Sequence, residues 1–399
     1  MEKKKIEMII GVISIIVVII GIFVCIDKNK EHKEDAEALK LKEKLTVEFL
    51  ENVKVSDFIE DLQGELLEDN KIETSSIGEK EVTFKYNSIR NKEKTKSFKI
   101  NIVDTTKPEI YMSETMTVIK GYNKDLTDTI LSGDNCDSNP TRKIEGEYNV
   151  NEVGTYNLKF VITDASGNEN SKNFTLNVVN SIKTTQNVQK KIEFSEVLSK
   201  YKMDNTELGI DVSKWQGEID WQTVKNAGTK FTFIRVGYQN GFDGENVEDE
   251  YFKANIEGAK EVGLDVGIYF YSYAKTINEI EDQVEWISNK LENYKIDLPI
   301  AFDWESWSSF NNCKLSFYDI NNMAQTYIKM LENKGYKASL YSSKNYLEKI
   351  WYANEYENIW LANYTTKTEY NGNYQYWQCC NTGKIDGING DVDIDIYYK

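Results

Sequence analysis

Two carboxylates, Asp303 and Glu305, stand two residues apart at the end of the apolar segment LPIAFDWE. Because side chains i and i+2 of a strand point to one face, both carboxyls are expected on the same side, with Trp304 on the other. Two carboxyls brought together in apolar surroundings cannot both ionise near neutral pH, so one of them keeps its proton. An acid beside a carboxylate is the pair that glycosidic-bond hydrolysis needs.

Further carboxylates lie near the two ends of the C-terminal half of the chain, residues 208–399. Asp211 is in the segment GIDVS, and Asp391, Asp393 and Asp395 alternate with apolar residues in DVDIDIYYK. An EF-hand calcium loop is excluded for the second segment, because its sixth position is Ile396 where the motif requires glycine. The alternation instead predicts a final strand with its aspartates on one face.

Aromatic residues near the ends of predicted strands are the candidates for contacts with sugar rings; they are Tyr269, Tyr271, Trp360, Tyr364 and Trp377. The chain contains one histidine, His32, which excludes a Ser-His-Asp triad and a multi-histidine zinc site. A net charge of −17 argues against a nucleic-acid partner. No cofactor and no metal are predicted. We also expect no thiol catalysis by Cys379 or Cys380, since no histidine is available to activate them.

From residue 208 on, apolar strands alternate with helical segments, at about 249–262, 277–293 and 318–334. Eight such strands favour an irregular, TIM-like α/β barrel over residues 208–399. A doubly wound sheet is the alternative, but no glycine-rich phosphate loop follows the first strand. Barrel active sites are built where the strands end at their carboxyl side, which is where these polar residues lie.

Residues 208–399 resemble glycoside hydrolase family 25, the lysozymes that cleave peptidoglycan between N-acetylmuramic acid and N-acetylglucosamine. GIDVSKWQGEIDW resembles the family's opening signature, DWE its paired-carboxylate strand and GINGDVDIDIY its closing segment. The resemblance implies that Glu305 is the proton donor and that Asp303, Asp211 and Asp393 complete the catalytic set. Along a strand the two paired residues are ~6–7 Å apart, a spacing that does not distinguish two mechanisms. Asp303 could attack the sugar directly, or the substrate's own acetamido group could attack while Asp303 assists. The departures from the family pattern are Cys379, Cys380 and Asp395.

Upstream of the barrel the chain repeats itself, so that Val82 and Phe84 align with Leu158 and Phe160. Alternating strands and polar turns predict two small all-β sandwiches, at 46–105 and 106–180, and the second resembles bacterial immunoglobulin-like surface repeats. We expect both modules to be spacers that hydrolysis does not require; binding of protein partners is the alternative. A charged stalk is predicted at 28–45 and a linker at 181–207.

Residues 8–26 are uncharged, rich in Ile and Val, and follow the cluster Lys3, Lys4 and Lys5. The segment is long enough to cross a hydrocarbon core of ~30 Å. We therefore predict that residues 1–27 are a cytoplasmic tail with a single-pass anchor, and that the rest lies outside the cell, facing the wall. A cleaved signal peptide and a lipoprotein signal at Cys25 are the alternatives.

These features together predict a membrane-anchored lysozyme-type hydrolase whose partner is the glycan strand of peptidoglycan. One alternative is a catalytically silent protein that binds wall sugars through the barrel. Another is an adhesin in which the β modules are the functional part. The four carboxylates favour the enzyme, since a silent protein has no chemical need for all of them.

Overall fold

The computed structural model describes residues 20–22, 24–25, 39–88, 92–182 and 191–399. The chain divides into two compact units, Met1–Thr105 and Thr106–Lys399. Within the described residues, no helix has the length and apolar character needed to cross a membrane. The anchor predicted at 8–26 lies outside the described residues, apart from 20–22 and 24–25.

The first unit holds a β module. Its strands are β1 Leu39–Leu41, β2 Thr46–Glu48, β3 Val53–Lys54, β4 Ile59–Leu62, β5 Gly64–Leu66, β6 Lys71–Ile72, β7 Gly78–Ser88 and β8 Glu93–Val103. β7 and β8 form a long antiparallel hairpin, flanked by β5 and by β2, which runs parallel to β8. The alternate residues Phe84, Phe98 and Ile100 are buried in its core. Since β1 pairs with β4, the end of the predicted stalk folds onto this module.

The second unit begins with a β module of related design. Its strands are β9 Glu109–Tyr111, β10 Thr115–Ile119, β11 Leu131–Gly133, β12 Thr141–Glu145, β13 Gly154–Thr163 and β14 Glu169–Val179. β13 and β14 form the long hairpin, and β10 runs parallel to β14 as β2 does to β8. Leu158 and Phe160 are buried at the positions that correspond to Val82 and Phe84 in the sequence repeat. The sequence repeat therefore corresponds to this hairpin, and each module adds a strand that runs parallel to the second hairpin strand.

Eight strands close into a barrel in the same unit. They are β16 Thr206–Val212, β17 Phe231–Gln239, β19 Asp265–Ser272, β20 Ile300–Trp304, β21 Ala338–Ser343, β22 Ile359–Ala362, β23 Tyr376–Lys384 and β24 Val392–Tyr398. The first seven are parallel, and β24 closes the barrel by pairing antiparallel with both β16 and β23. Two short strands extend it, β15 Ile192–Glu193 beside β23 and β18 Asn246–Glu248 beside β17.

Helices cover the outside of the barrel. They are α1 Phe194–Tyr201, α2 Trp221–Asn226, α3 Phe252–Glu261, α4 Ile277–Leu291, α5 Phe310–Cys313, α6 Phe317–Asn333 and α7 Lys344–Leu347. α3, α4 and α6 lie where the sequence predicts helices. α6 begins at a capping box formed by Ser316 and Asp319. β15 and α1 fall within the predicted linker, and Phe194 of α1 is buried in the barrel's outer core.

Side-chain alternation along the barrel strands separates two cores. The outward set, which includes Phe302, Trp304 and Ile394, packs under the helices. The inward set includes Phe233 and Trp360, whose rings stack with their centroids 4.2 Å apart. The inward carboxyls Asp211 and Asp303 lie toward the carboxyl end of the parallel strands, and that end holds the candidate site.

Candidate active site

A cavity of about 360 Å³ opens at the carboxyl end of the parallel strands. All four predicted catalytic residues line it: Asp211, Asp303, Glu305 and Asp393. Four of the five predicted sugar-contacting residues also line it: Tyr269, Tyr271, Trp360 and Tyr364. These residues come from different strands, so it is the closed barrel that brings them together.

Asp303 and Glu305 form a pair at the end of β20. Asp303 is 3% exposed, whereas Glu305 follows the last strand residue and is open to the cavity. The two carboxyls lie within hydrogen-bonding reach of each other, closer than the strand spacing led us to expect. Oδ1 of Asp303 has no hydrogen-bond donor among the described side chains and backbone groups. A proton shared with Glu305 would satisfy this arrangement.

Burial raises the pKa of both carboxyls in this pair. For Asp303 the charge of Glu305 raises the pKa further. Glu305 is exposed to the cavity, but the concave wall around it withholds much of the water that a free carboxylate would have. The expectation that one carboxyl stays protonated is thus supported. Of the two groups, the more buried Asp303 holds that proton more strongly, although the resemblance assigns the proton to Glu305.

A second group of aspartates lies where β16 meets β24. Asp211 and Asp393 are directly opposite each other in the antiparallel register, and Asp395 is two residues further along. Burial raises the pKa of Asp211 well above its usual range and that of Asp393 to about 9, with the neighbouring aspartates adding to both shifts. Burial also raises the pKa of Asp395 to about 7. This group therefore carries protons near neutral pH.

Gln378 organises this second group and was not singled out from the sequence. Its Nε2 donates to Asp211 Oδ2 at 2.7 Å, and its Oε1 accepts from the hydroxyls of Tyr341 at 2.8 Å and Tyr364 at 3.0 Å. The side chain is 3% exposed, so these bonds are shielded from water. The available sequence signal is the position of Gln378 next to Trp377. Neighbouring side chains of a strand face opposite sides, so one of these two residues must point into the barrel.

The predicted aromatic contacts divide into three kinds. Tyr269 and Tyr271 line the cavity wall, and Tyr364 is half exposed at its edge. Trp360 is 1% exposed, and its Nε1 donates to Asp395 Oδ1 at 2.8 Å, which makes it a support for that carboxyl. Trp377 is a correction: its ring points outward, where it packs against Tyr201 and lies away from the cavity.

Two further cavity residues were missed. Trp215 is 76% exposed at the mouth, which makes its ring available to a ligand. Arg235 also lines the cavity, and its Nε donates to the buried carboxylate of Asp249 at 2.7 Å. Its positive charge lowers the pKa of Asp303, against the larger effect of burial. A lone arginine in the apolar segment FTFIRVGY was the available signal.

The arrangement fits acid–base chemistry on a sugar. Carboxyl oxygens also suit hard cations, but carboxyls that hydrogen-bond to each other need protons between them. The thiols do not take part in this arrangement: Cys379 is buried, its Sγ donates to Ile394 O at 3.4 Å, and burial raises the pKa of its thiol. Both adjacent cysteines face a separate groove beside α1.

Comparison with known proteins gives a consistent result. Residues 210–388 match glycosyl hydrolases family 25. The uncharacterized protein YegX of Escherichia coli O6:H1 is 29% identical over 194 residues, which cover 47% of this chain and 68% of that protein. The autolytic lysozyme of Clostridium acetobutylicum is 26% identical over 189 residues, which cover 47% of this chain and 54% of that protein. This chain thus spans about half the length of that lysozyme.

Among solved structures, a family 25 glycosyl hydrolase from Bacillus anthracis is 26% identical, with a TM-score of 0.43. That similarity covers 50% of this chain and 92% of the other. The family match begins within the first barrel strand, includes Asp211 and the paired carboxylates of β20, and ends before the last strand and its Asp393. Residues 210–388 are therefore identified by the family model as a glycosyl hydrolases family 25 domain, and relatives named as lysozymes match the same half of the chain.

Proposed function

We propose that this protein is a membrane-anchored N-acetylmuramidase that cleaves the β-1,4 bond between N-acetylmuramic acid and N-acetylglucosamine in peptidoglycan. The observation that carries the proposal is the adjacent carboxyl pair Asp303–Glu305, which lines a cavity of about 360 Å³ at the carboxyl end of the barrel strands. Relatives named autolytic lysozyme and lysozyme M1 support the same substrate class.

Glu305 acts in this proposal as the general acid. Its carboxyl is open to the cavity, so it can reach the oxygen of a bound glycosidic bond while Asp303 stays behind it. Entry of the sugar separates the two carboxyls and leaves the proton with Glu305 and the negative charge with Asp303. That charge then faces the oxocarbenium-like centre as the bond breaks. Direct attack by Asp303 and attack by the substrate's acetamido oxygen are the two routes that follow.

Asp211 and Asp393 act as positioning groups for the sugar. Gln378 fixes Asp211 at 2.7 Å, and Asp211 in turn faces Asp393 across the strand pair. Protonated carboxyls donate as well as accept hydrogen bonds, so this group can bind sugar hydroxyl or amide groups of either polarity. Tyr269, Tyr271 and the exposed Trp215 offer apolar faces to the sugar rings.

Mass spectrometry of fragments released from purified wall tests the bond. The full chain is expected to release fragments that end in reducing muramic acid, and the Glu305→Gln chain, with the same cavity volume, is the matched control. Reducing glucosamine ends would identify a different glycosidase. Binding to the wall without any release would instead support a silent sugar-binding protein.

Anchoring by residues 8–26 is a separate part of the proposal. Because this segment is apolar and preceded by lysines, we place the barrel outside the cell, next to the wall. The full chain should then stay with membranes through alkaline and high-salt washes, and protease added to intact protoplasts should remove the barrel. Recovery from the medium of a chain that begins shortly after residue 26 would show cleavage instead.

A further inference from the structure

The segment that follows Glu305 is held by stacked aromatic rings. Trp307 N donates to Glu305 O at 2.8 Å, at the start of the short 3-10 helix Trp307–Ser309. The ring of Trp307 contacts those of Trp304 and Phe310, with centroids 4.9 and 6.0 Å apart. Contacts that hold Phe310 therefore help to hold the backbone that carries the proposed acid, together with Tyr346, whose ring stacks on that of Trp307 at 4.2 Å.

The second β module contacts α5, the helix that contains Phe310, through residues 127–135, which we call the docking loop. Asn311, 9% exposed, donates from Nδ2 to Ile130 O at 2.7 Å and to Thr127 O at 3.1 Å. Its Oδ1 accepts from Ser132 N at 3.2 Å. One buried side chain in α5 thus makes three hydrogen bonds to the module's backbone.

The docking loop also completes the start of α6. The first amides of a helix have no partner within the helix. Here Phe317 N donates to Asp134 O at 2.8 Å and Tyr318 N to Asn135 O at 3.1 Å. Two orphan amides of the barrel are therefore satisfied by carbonyls of the module.

Gly133 shows how tightly the two surfaces fit. A Cβ at this position would lie 2.7 Å from the ring of Phe317 and 3.0 Å from that of Phe310. The backbone of Gly133 is not left-handed, so the contact with these rings, and not the conformation, restricts the residue. Tyr111 adds a hydrogen bond from its hydroxyl to Lys349 O at 2.7 Å.

We propose that the docking loop is a positioning element of the active site, which fixes residues 306–313 and through them the carboxyl of Glu305. The second module is then part of the hydrolase, contrary to the spacer role that its sequence suggested. This inference rests on the proposed function, because it assumes that Glu305 reacts.

The test compares Gly133→Ala with Gly154→Ala in the full chain. Gly154 is a matched control, because it lies in the same module, is not left-handed, and its Cβ would meet only Tyr156, at 3.3 Å. For Gly133→Ala we expect kcat on a soluble wall-derived oligosaccharide to fall about 10-fold at unchanged KM, as for a small misplacement of a reacting group. The control should keep the parent kcat. Adding Phe317→Leu, which removes the closest of the two ring contacts, should restore part of the loss.

Hydrogen exchange of residues 305–313 supplies a readout that does not depend on catalysis. Gly133→Ala should speed this exchange at an unchanged melting temperature, and Asn311→Ala, which removes three hydrogen bonds without a clash, should do the same if the first variant fails to fold. Unchanged exchange in both variants would overturn the docking. Faster exchange with parent kcat would overturn the positioning role. An inactive parent chain would instead contradict the proposed function, and exchange would still decide the docking.

Discussion

The cavity holds two groups of carboxyls that differ in what surrounds them. The pair on β20, Asp303 and Glu305, has few donors from the protein, and Oδ1 of Asp303 has none among the described residues. In the group between β16 and β24, Gln378 donates to Asp211 and Trp360 donates to Oδ1 of Asp395, although Oδ2 of Asp395 also has no donor among the described residues. A carboxyl that must change its protonation during a reaction is better left without fixed donors. The contrast is consistent with our proposal that the chemistry takes place at β20 and that the group between β16 and β24 positions the sugar.

The largest expected effect is that of Glu305→Gln, because the amide cannot donate a proton to the leaving oxygen. General acid catalysis is worth roughly 10²–10⁴-fold, and we expect kcat to fall by about that much. Wall binding and melting temperature should stay near those of the parent chain. Turnover of a soluble oligosaccharide and pelleting with purified wall measure the two effects.

The parent enzyme should also give a bell-shaped pH profile. The rate should fall at high pH as the pair loses its shared proton, and at low pH as both carboxyls become protonated. Since burial raises the pKa of both groups, the bell should lie above the range of free carboxyls. A Glu305→Gln chain that keeps the parent rate would remove Glu305 from the mechanism.

Asp303→Asn should be the next most damaging substitution. The amide keeps the shape but removes the negative charge that faces the developing positive charge on the sugar. We expect a loss of about 10²-fold or more in kcat, with little change in KM. In an Asp303→Gly chain, where the side chain is removed, azide can take the place of the carboxylate nucleophile, so a glycosyl azide product would favour direct attack by Asp303. Rescue should be absent if the acetamido group attacks.

Much of this contrast was accessible from sequence because strand alternation is strict. The segment LPIAFDWE predicted that Asp303 points inward and Trp304 outward, and DVDIDIYYK predicted aspartates opposite isoleucines; the structure has both. Alternation also explains the error at Trp377, since only one of Trp377 and Gln378 can face the cavity. The register of β23 with β22 places Gln378 toward the cavity and Trp377 away from it, and no local sequence pattern reveals that register.

The docking loop shows what a repeat does not reveal. The repeat aligns buried hairpin positions, which are set by the module's own core. Residues 127–135 have no such periodicity, because their partners, Asn311 and Phe317, lie in helices far along the chain. Long-range contacts made by backbone carbonyls leave no mark in the composition of the loop. The two modules therefore look alike in sequence but differ in what they contact.

Substitutions in the aspartate group between β16 and β24 are expected to change the stability of the fold more than the rate of hydrolysis. The pKa of Asp393 is raised to about 9, so between pH ~4, where an unfolded aspartate ionises, and pH 9 the folded state binds more protons than the unfolded one. Stability therefore falls as pH rises through this window, by up to about 1.4 kcal/mol per pH unit for one proton. Asp393→Asn should reduce this dependence, and the other carboxyls with raised pKa should account for what remains.

Thermal unfolding of the full chain at pH 5 and pH 8 measures that change. The parent should melt at a lower temperature at pH 8, and Asp393→Asn should narrow the difference between the two values. Its kcat should fall less than that of Asp303→Asn, because Asp393 positions the sugar and does not react. A loss of rate equal to that of Asp303→Asn would erase the distinction between the two groups.

The smallest effect is expected from replacing both Cys379 and Cys380 by serine. They are adjacent to Gln378, yet both thiols are buried and face the groove beside α1. Burial raises the pKa of Cys379, so its thiolate is scarce, and the chain has no histidine near the barrel in sequence to activate it. The serine hydroxyl at 379 can keep the bond to Ile394 O.

We expect a stability cost of about 1–3 kcal/mol for the buried hydroxyls and a kcat equal to that of the parent. Loss of turnover in a double variant that melts normally and still binds wall would place a thiol in the reaction, and the chemistry would then extend beyond the pair on β20.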